Sequence, residues 1–159
     1  MMPAVSTPPR QTLGEQFAAP TSCVLLWSLQ SAHRHLDACI CEMERATSTP
    51  ECDRSAFGHA RFRISQASFA RRMILAKACA YLAGIATGAH RATVEAVRLH
   101  DLECAARSTE HVRAWPPGRI GDDWSGYCEA SRAIRMMMRQ AMRAEQQALL
   151  PLLRIYGER

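Results

Sequence analysis

The sequence has few of the features that mark specialised classes of protein. Of its 159 residues only 6% are aromatic and 22% are charged, and glycine and proline occur eight times each. With 48% hydrophobic residues, this composition excludes collagen-like, low-complexity and wholly disordered chains. No apolar run reaches the roughly 18 residues that a transmembrane helix requires. The length suits one compact domain, and we expect no association with a membrane.

The chain also lacks a recognisable secretory signal and a paired set of cysteines. Its first 20 residues have neither the basic start nor the apolar stretch of a signal peptide. The seven cysteines are an odd number, which fits reduced thiols better than a disulfide framework. We therefore expect a cytoplasmic protein.

Lysine is nearly absent from the sequence. The basic residues are 19 arginines and one lysine, Lys77, and the net charge of the chain is +5. Arginine binds phosphate well, but this bias is also typical of solvated helix faces encoded by GC-rich genomes. The aromatic residues that would stack on bases are few and scattered, so we expect no nucleic-acid partner. A stripe of four arginines at spacings of three and four should be a solvated face or a docking surface: Arg132, Arg135, Arg139 and Arg143.

Apolar residues that recur at alternating spacings of three and four predict four long helices. Thr21 or Ser22 should cap the first helix, which ends near Thr47, and the next two cover about 57–86 and 89–115. Asp122 or Asp123 should cap the fourth, which continues to about Ile155. Prolines at 116 and 117 should stop the third helix, and Pro151 should kink or loosen the end of the fourth. No segment has the pattern of a strand. The prediction is all-α: a flexible arm over residues 1–20, then an up-and-down antiparallel four-helix bundle over residues 21–157.

Candidate functional residues are polar side chains within these apolar seams, because helical bundles build their sites from inward-facing residues. His33 lies between Leu29 and Leu36, either as a hydrogen-bonded core histidine or as a metal ligand. His100 and Cys104 are four residues apart, so both lie on one helix face within reach of a shared ion. The sequence has no glycine-rich phosphate loop, paired CxxC motif or nucleophile elbow, and we expect no enzymatic activity.

Several segments resemble bacterial hemerythrin-like (HHE cation-binding) domains. The most distinctive are residues 115–130 (WPPGRIGDDWSGYCEA) and 142–153 (MRAEQQALLPLL), which are similar to the last connection and last helix of that family. Residues 29–36 (LQSAHRHL) and 60–63 (ARFR) resemble parts of its first two helices. The resemblance implies a four-helix bundle around a non-haem di-iron centre that binds dioxygen or senses redox state.

Compared residue by residue, this chain lacks most of the metal ligands of that family. His33 matches the ligand on the first helix, but the histidine and glutamate of the second helix correspond to Arg71 and Leu75. On the third helix only His100 is in register, with Cys104 or Ala96 as its neighbour.

On the fourth helix the ligand histidine corresponds to Ala141, and Gln146 takes the ligating position beside Glu145. An unpaired buried arginine is costly, so Arg71 should pair with Glu145 or with a bound anion. We expect a polar core made from five residues: His33, Arg71, His100, Glu145 and Gln146.

The resulting hypothesis is a non-enzymatic sensing, ligand-binding or interaction module, monomeric or homodimeric, whose degenerate site is metal-poor or metal-free, with no cofactor expected. Its partner would be a protein or a small-molecule ligand. The alternative is an oxygen or redox sensor in which an altered site holds non-haem iron through His33, His100, Cys104 and Glu145.

Overall fold

A computed structural model describes residues 21–157, so the arm expected over residues 1–20 lies outside the described residues. This part of the chain forms five helices and contains no strand, which confirms the all-α prediction. They are α1 (Ser22–Ala46), α2 (Arg54–Ile85), α3 (Gly88–Ala114), α4 (Pro117–Asp122) and α5 (Trp124–Ile155). Within the same residues, no helix is both long and apolar enough to cross a membrane.

Side-chain oxygens cap three of the helices at their first turns. Thr21, Asp53 and Asp123 accept hydrogen bonds from backbone N–H groups at the starts of α1, α2 and α5. These caps satisfy donors that have no partner within the helix. The cap by Asp53 explains why α2 begins at Arg54, three residues before the predicted start.

Pro117 behaves differently from the prediction. α3 ends at Ala114 as expected, but Pro117 then starts the short helix α4, because proline suits the first position of a helix, where no donor is needed. α5 continues through Pro151 and ends at Ile155, as predicted, so this proline does not terminate the helix. Pro151 itself is exposed, and buried leucines on both sides of it hold this part of α5 against the core.

The four long helices contact one another in a ring. α1 packs against α2 and α5, and α3 packs against the same two helices. The connection between α2 and α3 is short, and Gly88 adopts a φ of 54°, which other residues rarely tolerate. α3 buries little of its length, since only Val94, Val97 and Cys104 are buried among its 27 residues.

The interior contains two large apolar clusters. One includes Leu29 of α1 and Leu75 of α2, and the other includes Leu36 of α1 and Ala67 of α2. On both helices, the residues between these cluster members therefore lie at the boundary between the two clusters. The candidate site lies at this boundary.

Candidate functional site

Three buried polar side chains lie between the two apolar clusters. His33 on α1, Arg71 on α2 and Glu145 on α5 are 2%, 4% and 2% exposed. On α5, Glu145 lies between Met142 of one cluster and Leu149 of the other. His33 and Arg71 likewise lie between members of the two clusters on their own helices. Three of the five residues expected in the polar core are thus brought together.

Both carboxylate oxygens of Glu145 are occupied. His33 Nε2 lies 2.8 Å from Glu145 Oε2, and Arg71 Nη1 donates a hydrogen bond to Glu145 Oε1. An ionised carboxylate can only accept hydrogen bonds, so a contact of this kind requires the proton of the His33 ring on Nε2. The other ring nitrogen, Nδ1, is buried and has no hydrogen-bond partner within residues 21–157.

Asp101 of α3 completes the network, although the sequence analysis did not single it out. Arg71 Nη2 donates to Asp101 Oδ1 at 2.6 Å, and Arg72 Nε lies 3.5 Å from Asp101 Oδ2 as an ion pair without hydrogen-bond geometry. The buried guanidinium of Arg71 therefore has a carboxylate at each Nη, which compensates its charge. The spacing of Val94, Val97, Asp101 and Cys104 by three, four and three places Asp101 in the buried seam, and this signal could have identified it.

His100 and Gln146 lie at the surface and not in the expected polar core. Each is one residue away from a network member, Asp101 or Glu145, and one residue turns a side chain by about 100° around a helix. His100 instead contacts its own helix, with Nε2 at 3.6 Å from Cys104 Sγ.

Within residues 21–157, the side chains proposed as metal ligands do not fit a metal centre. His33 and Glu145 are buried, whereas His100 is exposed on α3, so the set proposed for the altered iron site does not converge. No group of three His, Cys, Asp or Glu residues is placed to hold a metal ion in residues 21–157. A di-iron site needs several imidazoles and bridging carboxylates, whereas here the guanidinium of Arg71 binds the central carboxylate.

A cavity of about 440 Å³ adjoins the network, since Arg71 and Arg72 belong to its wall. This volume lies within the range of ligand pockets, about 300–1,000 Å³. The wall contains five arginines, and no acidic residue from the described part of the chain lines it. The arginines are Arg61, Arg71, Arg72, Arg113 and Arg135.

The expected exposed stripe on the last helix is wrong for Arg135. This residue is only 5% exposed, and Arg139 is half-buried against α1, while Arg132 and Arg143 are exposed. Arg135 lies eight residues after Tyr127 and seven before Met142, both of which are buried. That helical spacing could have placed Arg135 inside.

No protein-family model, curated protein or solved structure matches this chain. The likeness to hemerythrin-like domains therefore remains a resemblance of the quoted segments. Conclusions about function depend on the buried network and on the cavity beside it.

Proposed function

We propose that this chain is a hemerythrin-like, up-and-down antiparallel four-helix bundle that acts in the cytoplasm as a metal-free ligand-binding or sensing module. The bundle topology is supported by the ring of contacts among α1, α2, α3 and α5 and by their short connections. The hemerythrin-like assignment is supported by the segments at residues 115–130 and 142–153.

The observation that carries the metal-free proposal is the environment of Glu145. Its two oxygens accept from His33 and Arg71, and Arg71 in turn binds Asp101. A cation at this level would have to displace a guanidinium that is paired on both sides, and it would leave that positive charge buried beside it. The network thus replaces metal coordination by ion pairs that connect four helices.

Ligand binding is supported by the cavity next to the network. Four-helix bundles place their ligands between helices, and this cavity combines apolar side chains from all four long helices with arginines and hydroxyl groups. If the four long helices served only to pack against each other, the protein would not need a cavity of this volume, because protein interiors are normally close-packed.

We also propose that this module is not an enzyme, and the thiol in the cavity wall, Cys104, is a poor candidate for a nucleophile. Burial is the main cause that raises the pKa of Cys104 above its ordinary value, and the charge of Arg71 opposes that rise. The thiolate is the nucleophilic form, so Cys104 remains a weakly reactive thiol at neutral pH.

Iron content tests the metal-free proposal directly. The purified protein is incubated anaerobically with ferrous iron, desalted and measured by elemental analysis and visible absorption, with a known di-iron protein treated in parallel. We expect well below one iron atom per chain, no iron-dependent absorption band and an unchanged helical circular dichroism spectrum. Retention of about two iron atoms per chain, as in di-iron carboxylate bundles, would overturn the proposal.

A further inference from the structure

We propose that the cavity binds an apolar monocarboxylic acid, with the carboxylate paired to Arg135 and the apolar body against the hydrophobic wall. This inference rests on the proposed ligand-binding function and names the chemical class of the ligand. It follows from four features of the cavity: an uncompensated cation, nearby neutral donors, an apolar lining and an open side.

Arg135 is a buried cation without a paired anion. Its Nη1 donates to Ser131 Oγ at 2.5 Å, its Nε has no hydrogen-bond partner, and no carboxylate of residues 21–157 lies within 4.0 Å of it. The charge of Glu44 reaches Arg135, but the carboxylate of Glu44 is bound by Arg139, with Nη2 to Oε2 at 3.1 Å. A guanidinium that is 5% exposed and unpaired is costly, and a bound carboxylate would compensate it.

This contrasts with Arg71 in the same wall. Arg71 is equally buried, but it has a carboxylate at each Nη from Glu145 and Asp101. The arginine that belongs to the network therefore needs no anion, whereas Arg135 does. The difference assigns the ligand carboxylate to the Arg135 side of the cavity.

Neutral hydrogen-bonding groups lie near Arg135 in this cavity, whereas Glu44, Glu129 and Arg132 line a separate pocket that Arg135 also borders. Burial is the main cause that raises the pKa of Tyr127, and Ser131 and the charges of Arg61 and Arg135 only oppose this rise, so the phenol remains protonated and can donate. Burial is also the main cause that lowers the pKa of His111, and the charges of Arg61 and Arg135 lower it further. A ligand carboxylate bound here would contact hydrogen-bond donors and positive charges, and no acidic residue in the wall would repel it.

The rest of the wall is largely apolar, which selects an apolar body over a bare inorganic anion. Methionine is adaptable in shape, so the wall can accommodate chains of different form. The apolar lining comes from all four long helices and includes Leu36, Ile64, Val112, Ile134, Met137 and Met138.

The cavity opens between α2 and α3. Lining residues on this side are exposed, with Ser65 and Phe69 on α2 and Thr109, Val112 and Arg113 on α3. The few buried residues of α3 agree with a gap along this seam. A ligand can therefore enter without unfolding the helices, and Arg113 adds a positive charge at the entrance.

Octanoate and octan-1-ol provide a matched pair of probes, because they share the apolar chain and differ in charge. Each is titrated by calorimetry into the wild type, Arg135→Met and the control Arg143→Met, which makes the same change at an exposed position of α5. We expect saturable octanoate binding to the wild type and to Arg143→Met, at least tenfold weaker binding to Arg135→Met, and weak octan-1-ol binding in all three.

The thermal stability of the unliganded proteins provides a second readout. Because methionine removes an unpaired buried charge while filling the same space, Arg135→Met should melt at a temperature at or above that of the wild type. A structural arginine would give the opposite result. If Arg135→Met does not fold, Arg135 has a structural role and the inference is overturned; Arg135→Gln, which also lacks the charge, checks that this outcome is not specific to methionine.

Three further outcomes would each overturn the inference. Octanoate and octan-1-ol could bind the wild type equally, octanoate could fail to bind, or inorganic phosphate could bind as tightly as octanoate and displace it. The iron content of the protein is a separate measurement from these titrations, so the metal-free proposal is tested independently of the ligand. Conversely, retained iron would refute the metal-free proposal even if octanoate bound.

Discussion

Arg71 of α2 and Glu145 of α5 form a buried ion pair between residues 74 positions apart in the sequence. The pair lies where the two apolar clusters meet, and it is linked to α1 through His33 and to α3 through Asp101. Polar groups at this level can hydrogen-bond only when the helices are in one register, because a shift of either helix would leave a buried charge unpaired. We therefore expect the network to favour a single packing arrangement more than it adds net stability.

Replacing Glu145 by glutamine tests how strongly the network depends on its central carboxylate. The change leaves the guanidinium of Arg71 buried without one of its two anions, and we expect a loss of about 3–5 kcal/mol in the free energy of unfolding. Urea denaturation followed by circular dichroism measures this loss.

Glu42→Gln serves as the matched control, because Glu42 pairs with Arg63 at 2.8 Å in a partly exposed position. A solvent-screened pair of this kind contributes about 0–1 kcal/mol. Equal losses in Glu145→Gln and Glu42→Gln would show that burial of the network has no energetic consequence.

A double-mutant cycle tests whether Arg71 and Glu145 act as one unit. Arg71→Met alone removes one of the two hydrogen-bond partners of Glu145. Glu145→Gln alone removes one of the two carboxylates that bind Arg71. Since the double variant removes both charges together, we expect it to lose less stability than the sum of the single variants, by about 0.5–3 kcal/mol. Additive losses would mean that the two side chains do not interact in the folded protein.

The helices could be predicted because apolar periodicity reports which face of each helix is buried. The same periodicity placed His33 and Arg71 in inward-facing seams. The pairing of Arg71 with Glu145, or with a bound anion, was expected from the comparison with hemerythrin-like domains and from the cost of an unpaired buried charge. Helix α4 was not predicted, because prolines that end one helix can also begin another. Only the packing of Ile120 in the core shows that a helix begins here. Local sequence does not carry that tertiary contact.

Arg135 and Asp101 were missed for a different reason. A charged residue at a seam position is normally assigned to the surface, because burying it alone is unfavourable. Asp101 becomes favourable only when Arg71 approaches from another helix, which the sequence does not show. Arg135 has no such partner in the described chain, and we therefore propose a ligand for it.

Arg139 should make stability depend on pH through Glu44. The hydrogen bond from Arg139 is the main cause that lowers the pKa of Glu44 below its ordinary value of 4.5. A carboxyl group with a lowered pKa in the folded state stabilises that state above about pH 4.5, and this contribution disappears as pH falls through the folded pKa. The stability difference between the wild type and Arg139→Gln should therefore narrow as the pH falls below about 4.5.

Urea denaturation at several pH values measures this narrowing. The control is Arg143→Gln, which removes an exposed arginine from the same helix and should give a difference that is constant with pH. Because the Glu44 side chain is 42% exposed, water screens the interaction and the effect should be small. A constant difference for Arg139→Gln would contradict the assignment of Arg139 as the partner of Glu44.

The thiols should differ sharply in reactivity. Burial is the main cause that raises the pKa of Cys79, to about 11, and it also raises the pKa of Cys39 and Cys104. At about pH 8 a thiol of pKa 11 is roughly one part in a thousand thiolate, and the thiolate is the form that reacts. Iodoacetamide should therefore modify exposed Cys23 quickly and leave these three cysteines unmodified until urea unfolds the protein. Peptide mapping by mass spectrometry measures each site. Modification of Cys104 as fast as Cys23 would contradict the buried position of that thiol.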